Sequence, residues 1–61
     1  MSKYSKDDFD AGVSLYERLR EAASSWIEVG LQYRDGELDF NGSEMERGFL
    51  ETLSQDADDI H

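Results

Sequence analysis

The side chains able to do chemistry are few, and their spacing gives them little to do. Among 61 residues there is no Cys, one His at the terminal position His61, and no Lys beyond Lys6. Seven serines are present, but a serine nucleophile needs a base within hydrogen-bond reach, and a single histidine at the chain end leaves them without one. No glycine-rich phosphate loop occurs. His61 beside Asp58 and Asp59 is at most a solvated terminal imidazole able to hold a stray metal ion. Carboxylates are abundant, 15 in all, yet general acid catalysis needs them positioned and tuned in a cleft, and so short a chain hides only about 60% of its unfolded surface. No catalytic residue, metal site or cofactor is predicted, and the expected protein is not an enzyme.

One segment comes close to a known motif. Asp35-Gly36-Glu37-Leu38-Asp39-Phe40 resembles the later half of an EF-hand calcium loop, which implies ligands on both sides of it. In that register Leu31, Tyr33 and Gly42 stand where carboxylates are required. Shifting the frame to Glu37, Asp39, Asn41 and Gly42 restores the early ligands, but places Gly48 at the bidentate glutamate position and Glu44 where an apolar residue belongs. The segment reads better as an acidic turn whose Leu38 and Phe40 close the end of a core.

Charge is the strongest signal. Six Lys+Arg against 15 Asp+Glu give a net charge of −9, the wrong sign for counterion release from a phosphate backbone, so direct nucleic-acid binding is excluded. Residues 1–30 carry four basic and six acidic side chains, net −2, whereas residues 31–61 carry two and nine, net −7. Glu44, Glu51 and Asp58 recur every seven residues, roughly 10 Å apart on a helix, and with Glu37 and Asp39 they form an acidic surface that could enter a basic groove as a nucleic acid does. Against this, duplex DNA carries a charge about every 1.7 Å, and a solvated face or a halophile's solvation device also accounts for such residues. In composition the chain is similar to small acidic phage and mobile-element proteins that block restriction, CRISPR or transcription machinery.

These side chains need elements to position them. With 38% hydrophobic residues and seven aromatics, the chain is unlike an acidic disordered tail. Ser5 followed by Asp8 predicts a capping box, and a helix from about Lys6 to Arg34 follows. Along it Phe9, Val13, Tyr16, Leu19, Ala23, Trp26, Ile27, Leu31 and Tyr33 share one broad face at 100° per residue. Arg20 inside the apolar arc and Val29 outside it are the two misfits. Gly36 stands where a left-handed helix terminus is expected. The alternative is an α-β-β-α order, with the first helix ending near Ser24-Ser25 and Asp35-Gly36 as a hairpin turn pairing Tyr33 with Leu38 and Leu31 with Phe40. After an acidic loop over 35–43, Ser43 with Glu46 repeats the capping-box pattern and predicts a second helix over about 44–57, with Met45, Phe49, Leu53 and Ile60 on its apolar side, Leu50 and Ala57 at its margin, and a frayed acidic end.

The expected fold is thus a single all-α domain over 1–61, a helical hairpin with one long and one short arm. At 1.5 Å per residue the arms measure roughly 43 and 21 Å, so an antiparallel short arm would leave Phe9, Val13, Tyr16 and Leu19 uncovered. An exposed apolar patch marks an interface, and pairing into a four-helix homodimer is its simplest use. No apolar run is long enough for a membrane span and the N-terminus leads into carboxylates, so a cytoplasmic protein is expected. The function predicted is an inhibitor or regulator that docks Glu37, Asp39, Glu44, Glu51 and Asp58 on the basic, nucleic-acid-binding surface of a partner protein. The alternative is a structural adaptor or assembly factor that works through the apolar helix face.

Overall fold

A computed structural model describes residues 6–59. The capping role of Ser5, the apolar role of Ile60 and the metal-binding question at His61 lie outside the described residues. The fold is all-α, with α1 at Lys6–Ala22, α2 at Trp26–Arg34 and α3 at Ser43–Asp58. No strand occurs among the described residues, so the hairpin pairing about Asp35-Gly36 does not form. Nor is any described helix long and apolar enough to cross a membrane.

The single helix expected over 6–34 is interrupted at Ala23–Ser25. Ser25 takes an extended backbone, φ −160° and ψ 169°, and its hydroxyl accepts the Ile27 N–H at 3.2 Å. Glu28 reaches back to accept both the backbone N–H and the hydroxyl of Ser24. Ser25 and Glu28 have the S-x-x-E spacing of a capping box, with the glutamate's return bond displaced by one residue to Ser24. The Ser25 hydroxyl satisfies one of the first amides of the new helix and the Glu28 carboxylate that of Ser24 in the break, which lowers the cost of interrupting the α-helical ladder here.

At its other end α2 closes on glycine as expected. Gly36 adopts φ 76°, its N–H donates to the Tyr33 carbonyl at 3.1 Å, and the Glu37 N–H donates to the Gln32 carbonyl at 3.1 Å. This pair of bonds is a Schellman motif, which needs a left-handed residue at the position Gly36 fills. The capping box expected at Ser43 and Glu46 is absent. Gly42 is the cap residue, no side chain caps α3, and the Glu46 carboxylate instead accepts the Tyr33 hydroxyl at 2.5 Å.

The order of contacts gives the direction of each helix. Gly12 meets Met45 and Phe49, while Tyr16 and Arg20 both reach Asp56, so α3 runs alongside α1 in the same direction. Tyr33 meets Glu46, and Gly30 lies near Leu53, so α2 runs against α3. An antiparallel pair of unequal arms is therefore replaced by an up-down-up arrangement, in which α3 covers the first half of the chain. A Cβ on Gly12 would fall on the Met45 carbonyl oxygen, and one on Gly48 on the Phe9 carbonyl oxygen. Only glycine at both positions lets the two backbones come this close.

Phe49 is the centre of the core. It is fully buried, as is Val29, and Tyr16 is 2% exposed. Three rings surround Phe49: Tyr16 edge-on at 5.5 Å, Phe40 edge-on at 5.3 Å and Tyr33 stacked at 5.8 Å. These separations lie in the range where aromatic pairs add to the gain from burial. Leu38 and Phe40 of the loop pack against this cluster, closing its end as expected. The patch predicted to be open is thus covered: Tyr16 is buried, and Phe9, Val13 and Leu19 are half-buried. The fully open stripe of four residues on which the expected dimer rests is therefore not present, since α3 packs along α1.

Candidate functional site

Two surface features stand out, one charged and one apolar. The charged feature is a groove of about 400 Å³ between the C-terminal halves of α1 and α3, lined by Glu17, Arg20, Glu21, Gln55, Asp56 and Asp59 among others. At its floor the Asp56 carboxylate accepts the Tyr16 hydroxyl at 2.5 Å and Arg20 Nε at 3.0 Å, and Arg20 Nη1 donates to the Ala23 carbonyl at 3.3 Å. Burial, and then the Asp56 carboxylate, push the Tyr16 phenol up to about 12. The Tyr16 hydroxyl foremost, and Arg20 after it, hold Asp56 below the ordinary carboxylate range against the opposing effect of burial. Near neutral pH the phenol is therefore protonated and the carboxylate ionised. The three side chains form a clamp joining α1 to α3.

Carboxylates also collect where the helix field opposes them. The last turn of α3 has no basic residue, and Asp56, Asp58 and Asp59 stand at its C-terminus, the negative end of the helix dipole. Four of the five described cations are already held by carboxylates: Lys6 by Asp10 at 3.2 Å, Arg20 by Asp56 at 3.0 Å, Arg34 by Asp35 at 3.9 Å and Arg47 by Glu51 at 3.2 Å. Little positive charge remains to offset the rest.

The acidic residues picked out from sequence are distributed unevenly. Glu37 and Asp39 are exposed on the loop between α2 and α3, and Asp58 is exposed near the end of α3. Glu51 is exposed but paired with Arg47. Glu44 is half-buried, and its Oε1 is enclosed without a hydrogen-bond partner. The heptad row Glu44, Glu51, Asp58 is therefore not a uniform solvent-facing stripe: its first member is half-buried and its second is partly neutralised. The structure does not gather the five into one cluster, and among the described residues no three His, Asp or Glu side chains converge as metal ligands would.

The apolar feature was not expected where it occurs. Ile27 is 52% exposed, Leu31 42% and Leu50 36%. Ile27 and Leu31 belong to the apolar face read from the continuous helix, but the break at Ser25 resets the phase: Val29 turns inward and these two turn outward. The misfit of Val29 in the 100° pattern, together with Ser25-x-x-Glu28, was the signal for this change. Leu50 lies over a shallow concavity of about 320 Å³ on α3, shared with Ser43, Glu46, Arg47, Glu51 and Ser54. Comparison with protein-family models, with characterised proteins and with solved structures finds no match to this chain.

Proposed function

We propose that this chain is a small, non-enzymatic cytoplasmic binding protein that docks its acidic surface on the basic, nucleic-acid-binding surface of a partner protein and so inhibits or regulates it. The single observation that carries this reading is the surplus of unneutralised carboxylate. The net charge is −9, four of five described cations are already paired within the chain, and the C-terminal turn of α3 holds aspartates against its own dipole. Placing like charges there costs folding free energy, which a basic partner would recover on binding. Glu37, Asp39 and Asp58 are the exposed, unpaired members of the acidic set and supply its working charge. Glu51 contributes once Arg47 turns away.

A partner isolated at low ionic strength, then purified, provides the test. Binding should weaken steeply with salt, as charge-led association does. Glu37→Lys, Asp39→Lys and Asp58→Lys combined should abolish it with helicity intact, and a nucleic acid bound by the partner should compete. Single reversals will show little, since an exposed pair contributes about 0–1 kcal/mol. Salt-indifferent binding that survives the triple reversal would overturn this reading. A second reading, a structural adaptor gripping through an apolar face, is favoured by the exposure of Ile27, Leu31 and Leu50. It predicts the reverse pattern of salt and mutational response.

A further inference from the structure

The exposed side chains Ile27, Leu31 and Leu50 border one strip. Ile27 and Leu31 stand on either side of Gly30 along α2, and Leu50 lies one turn before Leu53 along α3. Gly30 and Leu53 are themselves adjacent: a Cβ on Gly30 would be 3.7 Å from Leu53 Cδ1. Because α2 and α3 are antiparallel, Leu31 and Leu50 fall at the same level and Ile27 lies about one turn beyond them. The result is an apolar seam between two helices, with Gly30 leaving a low point in its floor.

The surroundings of the seam select its occupant. Both nearby arginines are engaged, Arg34 with Asp35 and Arg47 with Glu51, so the rim is neutral where they stand. Glu46, in the same concavity as Leu50, and the exposed Glu28 on α2 leave it negative elsewhere. A second copy of this chain would bring the same carboxylates against themselves, under a net charge of −9 on each copy. An amphipathic helix with an apolar ridge and Lys or Arg flanks removes that repulsion: its ridge fills the seam at i, i+3/i+4 and i+7 spacing, and its flanks meet the rim.

We propose that the Ile27–Leu31–Leu50 seam is the docking groove for a basic amphipathic helix of the partner protein. This rests on the acidic docking reading above and adds the element of the partner that is recognised. The seam supplies register and orientation, while the surrounding carboxylates supply long-range attraction.

Three synthetic helical peptides test it by fluorescence anisotropy and by amide chemical-shift mapping: a leucine ridge with lysine flanks, a scramble of the same composition, and the same ridge with glutamate flanks. The ridge–lysine peptide should bind about tenfold or more tightly than the scramble, with shifts centred on Gly30, Leu31 and Leu50. Leu31→Asp, an exposed site whose variant is first checked for unchanged helicity, should remove that preference and leave the weak scramble binding in place. Equal binding of ridge–lysine and scramble, both sensitive to salt, would overturn the seam while leaving acidic docking intact. Failure of both lysine peptides would overturn both readings. Binding of the glutamate-flanked ridge as tightly as the lysine one would refute the charge of the occupant. A dimer in sedimentation equilibrium that Leu31→Asp dissociates would show that the occupant is a second copy.

Discussion

Replacing Gly12 by Ala sets two effects of opposite sign against each other. In a helix interior Ala is favoured over Gly by about 1 kcal/mol, so on propensity alone the variant would be the more stable protein. The added Cβ, however, would land on the Met45 carbonyl oxygen and 2.8 Å from the Phe49 nitrogen, backbone atoms that no rotamer change can move. α1 and α3 would have to part by on the order of 1 Å, and a gap of about 0.5–1 Å forfeits about a quarter to a half of each dispersion contact across it. Tyr16 and Phe49 lie on that same interface. Overpacking and lost contact together outweigh the propensity gain, and a net destabilisation of about 2–3 kcal/mol is expected. For a domain whose whole stability is roughly 3–9 kcal/mol by its length, the melting temperature should fall by on the order of 10–20 °C. Gly48→Ala, aimed at the Phe9 carbonyl, should behave alike. Gly30→Ala is the control: its Cβ meets only Leu53 Cδ1, at an ordinary 3.7 Å, so propensity prevails and a gain of about 0.5–1 kcal/mol is expected. Urea unfolding followed by circular dichroism measures all three. Should Gly12→Ala and Gly30→Ala move the midpoint in the same direction, the close crossing of α1 and α3 would not govern stability and this reasoning would fail.

Ser25→Ala should cost about 0.5–2 kcal/mol through loss of the α2 cap, whereas Ser43→Ala should be close to neutral because no side chain caps α3; equal losses in thermal unfolding would contradict the assignment of the caps. The Tyr16 phenol is raised in the folded protein, from 10.0 to about 12, so the folded state holds this proton more tightly than the unfolded one. Its contribution is full below about pH 10 and lost as the pH rises towards 12, and Tyr16→Phe should flatten the alkaline fall in melting temperature; parallel slopes would count against it. At the acid end, Asp56 is held below its ordinary value, so its contribution disappears as the pH falls through that lowered value, and Asp56→Asn should make the acid limb shallower. Calcium titration should show only a generic counterion effect; a saturable site lost on Asp39→Ala would reverse the reading of the 35–40 segment.

Much of the helical content was readable from local chemistry. The 100° periodicity announces helices on both sides of the loop, and the predicted bounds of α3 differ from Ser43–Asp58 by one residue at each end. Gly36 marks a helix end just after Arg34 because a left-handed backbone there favours a residue without a Cβ, and Leu38 and Phe40 stand out as core residues by being apolar within a polar turn. The preferred continuous helix misses the break at Ala23–Ser25, while the α-β-β-α alternative ends its first helix there but continues into strands instead of α2; three local signs accompany the break: Arg20 within the apolar arc, Val29 outside it, and the Ser25-x-x-Glu28 spacing. A continuous helical pattern and two helices with a shifted phase differ by only a few positions over this length. The longer periodic match concealed the cap.

The sequence by itself determined the helical class, the polarity of the loop and the sign and excess of charge, because each follows from side-chain type and spacing along the chain. The tertiary structure decided which faces meet. The α1–α3 pairing depends on Gly12 and Gly48, 36 positions apart, whose joint effect arises only when two backbones approach and leaves no mark on either helix alone. It also decided which charges are spent, since Arg20 finds Asp56 across the bundle rather than along its own helix. The same folding back buried Tyr16 and Val29 and turned Ile27 and Leu31 outward. Burial is a property of what lies opposite a side chain, and only the packed chain supplies an opposite side.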